Sequence, residues 1–182
     1  MPSALPLGWR FEAPPELLSI PGRDFPRGRI GEIIGPRSSG RTAILHAVLA
    51  ASTGRGESCA LIDCLDSFDP GSAEAAGAKL EKLLWIRCKG NAEHALKAAD
   101  LLLYAGGFGV IALDLIEVPT RELARIPPTA WFRFRRAVEP TPAVFLVLAD
   151  KPLTKTCAAQ RVMLAPRKPV FTGKFSLLRK AV

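Results

Sequence analysis

The octet Gly35-Pro36-Arg37-Ser38-Ser39-Gly40-Arg41-Thr42 lies between a short strand signal, Arg29 to Ile34, and an almost wholly apolar helical run, Thr42 to Ser52. Strand, glycine-rich turn and buried helix in that order restrict the chain to a layered α/β core. The octet also fits the phosphate-cradling pattern G-x-x-x-x-G-K-[ST] at every position except the lysine, which is Arg41. In such a loop (here Gly35, Ser38, Ser39, Gly40, Arg41 and Thr42) backbone N–H groups turn inward on phosphates, the cation reaches the outer phosphates and the hydroxyl holds Mg²⁺. Arginine keeps the charge, but its planar fork is bulkier than an ammonium and is not a conservative replacement at a tight phosphate site. Two outcomes stand open: nucleotide binding persists in altered form, or the fold persists without it.

Beyond the octet the chain alternates. Ser58 to Asp63, Leu83 to Arg87, Val110 to Asp114 and Ala143 to Ala149 read as strands. Ser72 to Gly77 reads as a short helix and Asn91 as the N-cap of a helix to Tyr104; Pro119 to Val138 is helical with a break at Pro127-Pro128. This predicts a mostly parallel sheet with helices on both faces in a single domain, 1–182. Arg161 to Leu164 and Lys174 to Arg179 read as later strands, antiparallel at the C-terminal edge. Residues 1–27 read as an irregular proline-rich arm, 28–165 as the core and 166–182 as basic edge strands.

A chain of 182 residues that is 48% hydrophobic is long enough for one full core. It has no apolar run of membrane-spanning length, and its opening, Met1 to Pro6, lacks the features of a signal peptide, so a cytoplasmic protein with no membrane contact is expected. Cys59, Cys64, Cys88 and Cys157 lack C-x-x-C spacing and read as buried reduced thiols rather than a zinc site. Trp9 and Trp85 read as core, and His46 and His94 as packing or surface residues.

Charge is segregated. Residues 1–120 carry 12 Lys and Arg against 14 Asp and Glu, whereas residues 121–182 carry 13 against 3. That asymmetry points to an anionic partner for one face, nucleic acid or an acidic protein. The candidate contacts are Arg133, Arg135, Arg136, Lys151, Lys155, Arg161, Arg167 and Lys168. On a helix Trp131, Phe134 and Val138 share one face, which suits core, while Arg133 and Arg136 share another.

Asp114 ends an apolar strand at the carboxyl edge, where open α/β sheets bind ligands. With Thr42 it is the candidate Mg²⁺ holder should nucleotide bind. Asp63 ends the second strand and reads equally well as a structural cap. Arg37 or Arg41 can reach a phosphate, or can fill the cradle by pairing with Asp114.

The run Gly28 to Thr42, followed by Cys59-Ala60-Leu61-Ile62-Asp63 and Asp69-Pro70, resembles the ATP-binding core of the bacterial RecA recombinase over roughly residues 20–165. The resemblance implies a RecA-like P-loop fold, with Asp69-Pro70 near an adenine. It also implies a lysine where Arg41 stands, and a water-activating glutamate where Leu65 stands. An apolar leucine cannot act as a general base, and Asp66 beside it points elsewhere if the local backbone is kept. The family's fifth strand ends in an asparagine-glutamine pair leading into a long DNA-binding loop; here Leu148-Ala149-Asp150 ends it and only Lys151 to Gln160 follow before the next strand. The family's N-terminal filament helix and C-terminal domain are not recognised either, so neither filament formation nor strand exchange is expected.

ImuA-type accessory proteins of damage-induced mutagenesis are similar trimmed RecA cores, and SulA-like division inhibitors share the architecture. Three readings follow. The first is a non-catalytic ImuA-like adaptor in the DNA-damage response (SOS response, translesion synthesis), partnering RecA or a mutagenesis polymerase accessory protein, and single- or double-stranded DNA. The second is a weak DNA-stimulated ATPase using ATP and Mg²⁺, with Asp66 or Glu117 replacing the base. The third is a division inhibitor with no DNA role. No residue is assigned as catalytic.

Overall fold

Runs such as Val144–Ala149 and Val110–Asp114 have apolar residues at successive positions, so both faces of each strand must be covered. The structure, a computed structural model, describes residues 16–166 and the strands at 169–172 and 177–181. Its elements are β1 (Leu17–Ile20), β2 (Arg23–Pro26), β3 (Arg29–Ile34), α1 (Arg41–Gly54), β4 (Cys59–Asp63), α2 (Pro70–Ala75), β5 (Leu83–Arg87), α3 (Ala92–Ala105), β6 (Val110–Asp114), α4 (Thr120–Leu123), α5 (Pro128–Val138), β7 (Val144–Ala149), β8 (Ala158–Met163), β9 (Pro169–Thr172) and β10 (Leu177–Ala181). The central sheet has six parallel strands in the order β5-β4-β6-β7-β3-β8. The family-type α/β architecture expected from sequence is therefore present.

Alternate residues of each strand feed two cores. On one face Ile62, Leu113 and Phe145 meet α3 and α5, with Phe134 edge-on to Trp131 at 5.8 Å and to Phe145 at 5.4 Å. Trp131, Phe134 and Val138 are buried, so the aromatics of the arginine-rich segment are core residues. On the other face Leu61, Ala112 and Leu146 meet Leu45, Val48 and Leu49 of α1.

Two expectations change. Residues 17–26, read as part of an irregular arm, form an antiparallel hairpin whose Leu18, Ile20 and Phe25 enter the second core. Its prolines fall at the turn and the strand end, where a missing N–H breaks no ladder. Residues 1–15, including Trp9, lie outside the described residues.

The strand at Arg161 to Leu164 runs parallel to β3 as β8, not antiparallel. The reason is Glu32, fully buried on β3. Its carboxylate accepts from the backbone N–H groups of Leu153 (2.6 Å) and Thr154 (3.0 Å), from the Thr154 hydroxyl (2.8 Å) and from Arg161 Nε (2.7 Å). These contacts draw the chain back across the sheet before β8 begins. The antiparallel pairing expected at the C-terminal end is present between β9 and β10, as a two-stranded sheet of its own. At the opposite end of the sheet Arg27 donates to Pro142 O (2.8 Å) and pairs with Glu57 (2.5 Å), tying the approaches to β3, β4 and β7 together. Among the described residues no helix is long and apolar enough to cross a membrane.

Candidate functional site

The loop after β3 keeps the shape of a phosphate cradle. Gly40 lies in the left-handed region (φ 94°) at the start of α1 and no side chain caps the helix, so the first-turn N–H groups face the cleft without a side-chain partner. A Cβ added at Gly35 would stand 2.5 Å from Ser39 Oγ, so the chain closes on itself only with glycine there. Ser39 Oγ is buried and has no hydrogen-bond partner. The cleft holds about 490 Å³ between the loop and the ends of β4 and β6, walled by Ser38, Arg41, Thr42, Leu65, Phe68 and Asp114.

Three aspartates stand along the carboxyl edge, and each does something different. Asp63 is buried and accepts from Ser67 N (3.1 Å), Phe68 N (2.9 Å) and Trp85 Nε1 (3.2 Å), so it is the structural staple of the segment after β4. Phe68 in turn packs edge-on against Trp85 and His46. Asp114, in register beside Asp63, accepts from Ile116 N at 2.9 Å. Burial pushes its carboxyl up to about 7, with Asp63 and Asp150 adding to the rise while the Ile116 N–H and Arg41 oppose it. Asp150, the first residue past β7, forms an ion pair with Arg41 and accepts from Glu117 N at 3.1 Å.

Arg41 is therefore engaged by Asp150, not by Asp114 as weighed from sequence. Its side chain is 5% exposed, so the loop's cation is held inside the protein. Arg37 projects outward and pairs with Glu117 at 3.0 Å. Leu65 sits on the cleft wall, while Asp66 turns away to a two-pronged pair with Arg87, which holds its carboxyl below the usual range. Asp69 caps α2, accepting from Gly71 N and Ser72 N, both at 3.2 Å. The backbone of the site fits phosphate, but its cation is occupied by Asp150; of the carboxylates on the wall, Asp114 accepts from Ile116 N and Glu117 is paired with Arg37, while Leu65 offers no base.

Among the basic candidates, Arg133 is bound through two contacts to Asp100 of α3 (2.8 and 2.6 Å), and Arg161 is bound to Glu32. Arg135 lies over the Phe132 ring at 5.7 Å. Arg136, Lys151 and Lys155 are exposed; Arg167 and Lys168 lie outside the described residues. Asp150 is the site residue that sequence reasoning noted only as a departure. The signal was present, since it is a carboxylate two residues after the aligned strand position Leu148.

Fold and loop together define a RecA-type core built around a phosphate-cradle turn. The chain belongs to the RecA N-terminal domain family, which matches residues 17–124. It is similar to the protein RecA of Rickettsia prowazekii (strain Madrid E), 38% identical over 100 residues, 54% of this chain and 29% of that protein. It is similar to the protein RecA of Rhodospirillum rubrum, 40% identical over 101 residues, 54% of this chain and 27% of that protein. The protein RecA of Treponema denticola is 41% identical over 112 residues, 60% of this chain and 26% of that protein. The match spans less than a third of the length of these relatives.

Proposed function

We propose that this chain is an adaptor of the DNA-damage response with an ImuA-like role, acting through RecA or a mutagenesis polymerase accessory protein without hydrolysing ATP. The observation that carries this reading is the ion pair between Arg41 and Asp150. A triphosphate has to displace Asp150 to reach the loop's cation; Leu65 cannot take a proton from water, and Glu117, the wall carboxylate weighed as its replacement, is paired with Arg37. Loss of a general base costs roughly two to four decades in rate. The short, Glu32-anchored crossover from Asp150 to Cys157 further supports a role other than strand exchange, since it leaves little chain to follow a DNA strand.

Nucleotide kept as a structural ligand is a second reading, favoured by the preserved turn at Gly40 and by the unpartnered Ser39 hydroxyl. Both are tested together by titrating a fluorescent ATP analogue with Mg²⁺ and assaying phosphate release with and without DNA. The adaptor reading expects no release above background. Saturable binding with no release selects the structural ligand, and DNA-stimulated release defeats both.

A further inference from the structure

On the far side of Asp150 from the loop lies a second concavity of about 370 Å³, between α4, the start of α5 and the crossover that follows β7. Its lining is mainly apolar, through Val118, Leu123, Ile126, Trp131 and Leu153, with Thr120 and the Arg41-paired Asp150 among them. Ile126 and Trp131 form a buried base, and Leu123 and Leu153 are half-buried walls. The mouth carries Lys151 and Lys155, both exposed. Among the described residues Lys97 is the one lysine with an ion-pair partner, so neither rim ammonium is neutralised there. The rim is also held in place. Arg161, anchored on Glu32, donates to Lys155 O at 2.6 Å, and Glu32 binds the amides of Leu153 and Thr154. A groove held in its binding shape loses less entropy when it is filled.

We infer that this groove docks a short acidic segment of a partner protein, with one bulky apolar side chain seated between Leu123 and Leu153 and flanking carboxylates on Lys151 and Lys155. Charge complementarity names the occupant: two unneutralised ammonium groups stand over an apolar slot sized for one or two side chains. Single-stranded nucleic acid fits it less well. Trp131 is 2% exposed and presents no ring face on which a base can stack. The inference rests on the adaptor reading, for which it supplies the contact surface.

The test is selection of random phage-displayed dodecapeptides on the full chain, followed by fluorescence anisotropy of the enriched peptides. Binding is measured on the wild type, on the Lys151→Glu/Lys155→Glu double variant and on Leu153→Ser, with thermal melts to confirm that each variant folds. The expected result is enrichment of peptides with two or more carboxylates flanking a Leu, Phe or Trp, each losing at least about tenfold in affinity in both variants. No enrichment, enrichment of peptides without that pattern, or equal affinity for wild type and variants overturns the proposal. So does an oligo-dT strand that binds these lysines when no peptide is enriched. Failure here with no ATP hydrolysis leaves the adaptor reading standing on another surface. Groove binding accompanied by ATP hydrolysis leaves the groove and removes the adaptor reading.

Discussion

Asp150 holds the guanidinium of Arg41 because the strands preceding the two residues are neighbours: Ile34 of β3 and Ala149 of β7 pair in register, and each chain turns out of the sheet immediately afterwards. The protein thus supplies, from its own chain, the negative charge that a phosphate would bring to the loop.

Removing that charge frees the cation. In Asp150→Ala, Arg41 has lost its partner and faces the cradle, so affinity for a fluorescent ATP analogue is expected to rise by at least about tenfold, or ~1.4 kcal/mol. On the adaptor reading phosphate release stays at background. Unaltered affinity in the titration would show that Arg41 is held by packing rather than by Asp150.

Glu32 is the buried anchor of the crossover and of β8. Glu32→Ala leaves Arg161 and two backbone N–H groups without their acceptor, and a loss of about 3–5 kcal/mol is expected in urea unfolding. Glu32→Gln keeps an acceptor and loses less. Hydrogen exchange at Leu153 and Thr154 accelerates in both variants if the carboxylate is the anchor.

His46 gives stability a pH dependence of known sign. Burial lowers its pKa below the ordinary 6.5, against an opposing pull from Asp69, and its Nε2 is buried without a partner. The unfolded chain therefore binds the proton more readily, so stability is full above about pH 6.5 and falls as pH drops below it. The slope per group is at most about 1.4 kcal/mol per pH unit. Asp114, whose carboxyl is raised, acts in the opposite direction over much of this window, so the informative quantity is a difference. Wild type should lose stability relative to His46→Gln as pH is lowered from about 8 to 5. A difference that is flat across pH denies His46 this role.

The cysteines should be silent toward alkylation. All four are buried, and burial lifts the thiols of Cys59 and Cys64 to about 11. Only the thiolate is nucleophilic, so at pH near 8 iodoacetamide should modify these two no faster than the protein unfolds, as intact-mass kinetics would show.

Much of this architecture could be read from the sequence, because strands β4, β6 and β7 are nearly continuous apolar runs and the octet marks where β3 ends. The face shared by Trp131, Phe134 and Val138 was legible from helical spacing alone. The hairpin at 17–26 was not: each strand is four residues long, too short for alternation to stand out among prolines. The direction of β8 depends on Glu32 meeting residues more than 120 positions away, which no local pattern encodes. The same limit applies to charge. Counting predicted a basic face, but Arg133 and Arg161 find carboxylates on distant elements, and the partner of Arg41 was a residue beyond the next-to-last strand of the sheet rather than the aspartate that ends β6.

Asp150 touches both sites: it is paired with Arg41, which walls the loop cleft, and it lines the apolar groove itself. Two binding events that draw on one ionisable group are thermodynamically linked, and linkage is reciprocal. Whatever factor an anion in the loop applies to the affinity of the groove, a segment in the groove must apply to the affinity of the loop. On the adaptor reading, a turn that does not turn over nucleotide can therefore still report, through a single carboxylate, on what is docked beside it.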